Sequence, residues 1–238
     1  MSLSGGTDAE LSKVGGTFPE QGVRTAQGAA MTHTESTGWT GSGRAKAAAL
    51  LMLAWVTLLW TLEAIDVASG HSLDAYGVVA REPGELADVV PAAFMHFGFD
   101  HIAANSVPLL IFGFLAALGG IRRFLALSLL IILVSGLGVW LFSPSGANTA
   151  GASGLVFGLF GYLVVRGFVE RNVWQVAVGL AVGAVWGSSI GLGIIPTDTG
   201  VSWQGHLFGL LAGIAAAFLF RRRTAPAWAH RSTGAQRR

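Results

Sequence analysis

The chain has 238 residues, 52% of them hydrophobic and 12% charged, with a formal net charge of +2. An ordinary soluble domain carries about 25% charged residues, so this chain has too few charges to cover a water-facing surface. Its 34 glycines follow no Gly-X-Y period, which excludes collagen, and the absence of cysteine excludes a disulfide framework, a thiolate nucleophile and a Cys-based zinc site.

Residues 1–43 are rich in Gly, Ser and Thr and lack periodicity, which predicts a disordered tail. No signal peptide is expected there: the first basic residues that precede an apolar run are Arg44 and Lys46, and they lead into a full span. Met31 is an alternative start. Residues 44–223 read as an all-α membrane domain and residues 224–238 as a basic tail. Apolar stretches about as long as a bilayer-crossing helix predict six spans, approximately 47–65, 101–119, 124–142, 153–168, 173–190 and 203–220. From Phe124 to Val165 there is no Asp, Glu, Lys or Arg, a run about twice too long for one span, so Ser143-Pro144-Ser145-Gly146 must divide it. A long outer loop, Val67 to Asp100, separates the first two spans.

Six spans put both termini on one side. Arg44, Lys46, Arg122, Arg123, Arg166, Arg171 and Arg221 to Arg223 all fall on that side, against Arg81 alone on the other. This asymmetry predicts an inner-membrane protein with cytoplasmic termini, and it assigns the basic residues to topology rather than to a lipid or nucleic-acid site.

Polar groups inside a membrane domain are costly and point to function. His96, His101 and Asn105 lie at the outer entrance of the second span, with His101 and Asn105 four apart on one helical face. Ser153, in Gly151-Ala152-Ser153-Gly154, opens the fourth span, and His206, after Gly205, lies one turn into the sixth. All five fall on the outer side. Ser153 is 13 residues, about 20 Å of helix, from Arg166, so it lies below the outer surface, where unpaired first-turn N–H groups and the helix dipole suit a developing oxyanion. A serine there, with a histidine on another helix at the same depth, is an arrangement for acyl transfer. Close helix packing for Gly-X-Ser-Gly and interhelical hydrogen bonding for a membrane histidine are the structural alternatives.

Over residues 76–220 the ordered motifs resemble those of the rhomboid intramembrane serine proteases: Gly84-Glu85, then His96, His101 and Asn105, then Gly151-Ala152-Ser153-Gly154, then Gly205-His206 followed by Gly209 and Gly213. The resemblance implies a six-helix rhomboid bundle in which Ser153 is the nucleophile and His206 the general base, a dyad without a third member. Neither Asp100 nor Asp198 matches a family catalytic position. His101 and Asn105 match positions that line the oxyanion hole with the Ser153 backbone N–H, and His96 matches a structural hydrogen-bonding histidine. Gly151 and Gly154 would let the loop and helix start approach the substrate. Gly209 and Gly213 would pack the sixth helix on Gly154, Gly158 and Gly161 of the fourth. Two departures stand out: Phe157 replaces a tyrosine that often stacks on the catalytic histidine, and Glu85-Leu86-Ala87-Asp88 stands where a Trp-Arg pair is common.

The implied activity is cleavage of single-span membrane substrates near the outer face, at small or helix-destabilising residues, with no metal or other cofactor. A non-catalytic rhomboid-like binder of transmembrane helices is an alternative, as is a small transporter. The transporter would call for inverted repeats or broken mid-membrane helices, and the sequence has neither.

Overall fold

A computed structural model of the protein describes residues 41–196 and 200–221. The expected disordered tail up to residue 40, with Met31, lies outside the described residues, as do Asp198 and the tail from residue 224. Among the described residues, helix-forming runs give six α-helices in chain order: α1 (Gly41–Ala68), α2 (Phe99–Ala117), α3 (Ile121–Phe142), α4 (Ser153–Val169), α5 (Val173–Gly193) and α6 (Trp203–Leu219). By length and composition α1, α2, α3 and α5 can each cross a membrane; α4 and α6 are shorter apolar helices. At 17 residues apiece these two are about 25 Å long.

Local chemistry sets the helix ends. Asn172 accepts the Gln175 N–H at 3.0 Å to start α5, and Ser202 Oγ accepts the Gly205 N–H at 3.3 Å to start α6. At the end of α4 the Asn172 N–H returns to the Gly167 carbonyl at 3.0 Å, while Arg171 takes a left-handed φ of 52°. The first helix runs past both ends of the 47–65 span expected from hydropathy. At one end it begins at Gly41, ahead of Arg44 and Lys46. At the other, Glu63 and Asp66 do not end it; both are only 2% exposed. Asp66 instead organises the turn that follows, accepting the Leu73 N–H at 2.7 Å and lying 2.8 Å from His71 Nδ1.

Between α1 and α2 the chain forms three short 3-10 turns, Ser72–Tyr76, Pro83–Val89 and Pro91–Ala93, and a two-residue strand, β1 (Val78–Val79). This strand pairs antiparallel with β2 (Asn148–Thr149), Val78 opposite Thr149 and Val79 opposite Asn148. The pair ties the α1–α2 connection to the α3–α4 connection. Two residues are too few for a period-2 pattern, so an all-α reading of the sequence does not contain it.

Helix α4 is the centre of the bundle, with 11 of its 17 residues buried, and it packs against α2, α3, α5 and α6. Its seam with α6 is closed backbone to backbone. A Cβ placed on Gly209 would strike the Gly154 carbonyl, and one on Gly213 would strike that of Gly158. A Cβ on Gly158 would come within 2.8 Å of the Gly209 carbonyl oxygen. Association of apolar helices in an apolar medium depends on van der Waals fit, and small residues on both faces permit this approach.

Candidate active site

The seam brings the start of α4 beside the start of α6. Around these two ends is an open cleft of about 900 Å³, lined by His101, Asn105 and Pro108 of α2, Ser153 and Phe157 of α4, Trp186 and Ile190 of α5, and His206 of α6. Four helices thus contribute, with α2 and α5 among the walls. Pro108 lacks an N–H for the Ala104 carbonyl, so the α2 wall is interrupted in its hydrogen bonding beside the cleft.

His206 is 6% exposed and its ring is held on two sides. Phe157 stacks on it with ring centroids 3.9 Å apart and planes 11° from parallel. Nδ1 lies 2.8 Å from the Gly193 carbonyl at the end of α5. A carbonyl only accepts, so Nδ1 carries the proton and Nε2 is left as the basic nitrogen. Among the described residues no hydrogen bond joins Ser153 Oγ to this imidazole, although both side chains line the cleft. Such contacts are commonly loose before substrate binds.

Ser153 begins α4 directly after a tightly held loop. Gly151 has φ of 133°, a conformation that excludes most side chains, and a Cβ there would lie 2.7 Å from His101 Cε1. The Gly151 N–H donates to the Ala92 carbonyl at 2.9 Å, and the Ala152 N–H donates to His96 Nε2 at 3.2 Å. Two hydrogen bonds from the α1–α2 connection therefore fix the backbone that delivers Ser153. The next three N–H groups, of Ser153, Gly154 and Leu155, precede the first helical hydrogen bond, Val156 N–H to the Ala152 carbonyl at 3.0 Å, and sit at the positive end of the helix dipole.

His96 does not line the cleft. It is buried behind it, edge-on to His101 with ring centroids 5.1 Å apart. Burial, aided by the neighbouring His101, pushes its pKa down to about 4, so the ring is neutral and Nε2 is available to accept. His101 and Asn105 both line the cleft, and Asn105 Nδ2 donates to the His101 carbonyl at 3.0 Å, leaving its second N–H for another acceptor. Gly154, Gly209 and Gly213 lie in the α4–α6 seam rather than on the cleft surface.

Several supporting groups were not singled out by the sequence. Gly193 and Ala92 act through backbone carbonyls, which carry no side-chain signature. Ser135 of α3 donates to the Gly205 carbonyl at 2.8 Å and sits against Gly154, which joins α3 to both halves of the site. The signal for Ser135 was available: it is a buried hydroxyl within an apolar span. One described trio, Asp66, His71 and Asp74, has donor atoms within 4.8 Å of one another. None of the three lines the cleft, and both Asp66 oxygens already bind within the turn.

A family model, the Rhomboid domain, matches residues 83–223, which include every cleft residue named above. The chain is 38% identical over 193 residues to the uncharacterized protein Rv1337 of Mycobacterium tuberculosis, covering 78% of this chain and 80% of that one. It is 30% identical to the putative rhomboid protease YdcA of Bacillus subtilis, over 65% of this chain and 74% of the relative. Against the rhomboid protease GluP of the same bacterium it is 28% identical, over 70% of this chain and 33% of the relative. With a matched domain over more than half its length and apolar helices able to span a bilayer, this is an integral membrane protein of the rhomboid family.

Proposed function

We propose that the protein is an intramembrane serine endopeptidase that cuts single-span substrates near the outer membrane face through a Ser153–His206 dyad. The observation that carries this reading is the imidazole of His206, clamped by Phe157 and the Gly193 carbonyl with its basic nitrogen left over, in the same cleft as Ser153.

In the proposed reaction Ser153 Oγ attacks the substrate carbonyl carbon while His206 Nε2 takes the hydroxyl proton. The Gly193 carbonyl, accepting from Nδ1–H, steadies the imidazolium that forms. Negative charge on the substrate oxygen is met by the Ser153 N–H at the start of α4, by the second N–H of Asn105 and by His101. The C–N bond then breaks, and the leaving amine takes the proton from His206. Water attacks the acyl-enzyme with His206 again as base, which releases the new carboxyl end and restores Ser153. A cleft of about 900 Å³ walled in part by α2 and α5 leaves room for a substrate segment, and a substrate carbonyl engaged in a helix cannot react, so small or helix-destabilising residues are expected near the cut. Phe157 keeps the stacking function of an aromatic ring without a hydroxyl.

The same proposal takes all six helices as spans in the inner membrane, with residues 1–43 and 224–238 as cytoplasmic tails of a 44–223 membrane domain. The basic residues support it, because Arg123 and Arg166 meet at one end of the bundle, away from the cleft. A reporter fused after Arg223 should read as cytoplasmic. Activity is tested by reconstituting the protein with tagged single-span substrates. Wild type should cleave, whereas Ser153→Ala and His206→Ala should each lose at least about a thousandfold in rate. Undiminished cleavage by either variant overturns the dyad, and absence of cleavage by the wild type across a broad panel favours a binder of transmembrane helices.

A further inference from the structure

At the other end of α4 the charges do not balance. Arg123, from α3, lies 2.5 Å from Glu170 and beside the Tyr162 ring, its guanidinium carbon 5.9 Å from the ring centroid. Arg166 lies on the same ring at 5.3 Å. Two guanidiniums thus share one carboxylate among the described residues. Burial alone would raise the Glu170 pKa, but the hydrogen bonds from Arg123 and Gln175 and the charges of both arginines hold it below the ordinary carboxylate range. With Glu170 ionised, one positive charge is left over. Arg123 Nε and Nη1 are buried without a hydrogen-bond partner among these residues.

Beside this excess charge is a crevice of about 150 Å³ between α2, α4 and α5. Its walls are Leu115, Leu118, Leu163 and Val178, and its polar members are Arg166 and Gln175. Arg166 is 8% exposed, and its Nε donates to Gln175 Oε1 at 3.0 Å, which orients the guanidinium. Trp174 stands at the mouth and is 83% exposed, a position typical of the aromatic belt at a membrane interface. The crevice is therefore apolar over nearly all of its lining, with the buried Arg166 as its one cationic member.

We infer that this crevice binds an anionic phospholipid, with the headgroup phosphate on Arg166 and the first acyl carbons between Leu118, Leu163 and Val178. A basic recess between helices at the cytoplasmic surface suits an anionic headgroup, and that leaflet is the one rich in such lipids. The apolar walls select a lipid over a free phosphate, which would leave them wet. A zwitterionic headgroup would bring its own cation towards Arg166 and Arg123. The leaflet assignment rests on the orientation proposed above; the headgroup chemistry does not.

The test is native mass spectrometry of the full-length protein in detergent micelles, titrated with phosphatidylglycerol, with phosphatidylcholine or with inorganic phosphate. Phosphatidylglycerol should be retained about fivefold more strongly than phosphatidylcholine. Arg166→Gln should remove that preference, and Leu118→Trp, which fills the crevice but keeps the charge, should remove it too. Arg122→Gln, at an exposed position, should keep it. Equal retention of the two lipids overturns the inference, as does a preference that survives Leu118→Trp or disappears with Arg122→Gln. Displacement of the lipid by inorganic phosphate would instead make this a phosphate site. If Arg166→Gln proves unstable, Leu118→Trp decides alone. Retention is read without substrate, so loss of cleavage and loss of lipid binding are separate results.

Discussion

At the Ser153 end of α4 its two flanks differ in how closely they are packed. Towards α6 the backbones touch, and each glycine of the seam is opposed by a carbonyl or another glycine. Towards α2 and α5 an open cleft of about 900 Å³ adjoins the Ser153 end of α4, and the backbones of α4 and α5 meet near the other end, where a Cβ on Gly179 would come within 2.8 Å of the Leu163 carbonyl oxygen. Each flank supplies a different requirement of the site. A nucleophile and a base on separate helices need a separation fixed to a fraction of an ångström, and only a close-packed seam supplies that. A substrate segment needs room, and a packed flank would exclude it.

The largest effect is expected in the seam. Gly213→Val would drive its side chain into the Gly158 carbonyl and should cost about 3 kcal/mol, seen as a large fall in melting temperature in micelles with loss of any protease activity. Full stability in that variant would break the contrast between the flanks.

A comparable effect is expected from acid. His96 has an ordinary value of 6.5 lowered to about 4, so below pH 6.5 the unfolded chain takes up a proton that the folded protein refuses. Stability from this group is complete above pH 6.5 and is lost as pH falls to about 4, by roughly 3 kcal/mol in total. Melting temperatures across that window should fall in the wild type and fall less in His96→Phe, which has no such proton to refuse. Equal slopes would show that His96 does not anchor the Ser153 loop in the way described.

Smaller effects come from the cleft side. Phe157→Leu removes the ring stacked on His206 and should slow cleavage about tenfold, while Phe157→Tyr should stay within about threefold of wild type. Smallest of all, Gly183→Ala, elsewhere on α5, should leave melting unchanged or raise it slightly, since the added methyl meets nothing and alanine favours a helix. Marked destabilisation there would mean that α5 is packed more tightly than described.

Much of this was legible in the sequence because its signals are local. Apolar runs and arginine pairs set the helices to within a few residues, α1 excepted, where Glu63 and Asp66 read as the end of a span but are buried within a longer helix. Ser153, His206, His101 and Asn105 stood out because polar groups are rare in such a chain. What could not be read is carried by distant or anonymous partners. The loop before Ser153 is held by Ala92 and His96, more than 50 residues away, and His206 by the carbonyl of Gly193. The β1–β2 pair likewise joins Val78 to Thr149, across α2 and α3.

The most direct measurement of the central claim is covalent labelling. A fluorophosphonate probe should modify the reconstituted wild-type protein at one residue, identified by peptide mass spectrometry as Ser153, and should fail to label Ser153→Ala and His206→Ala. Labelling that persists in either variant, or that falls on another serine, would contradict the account.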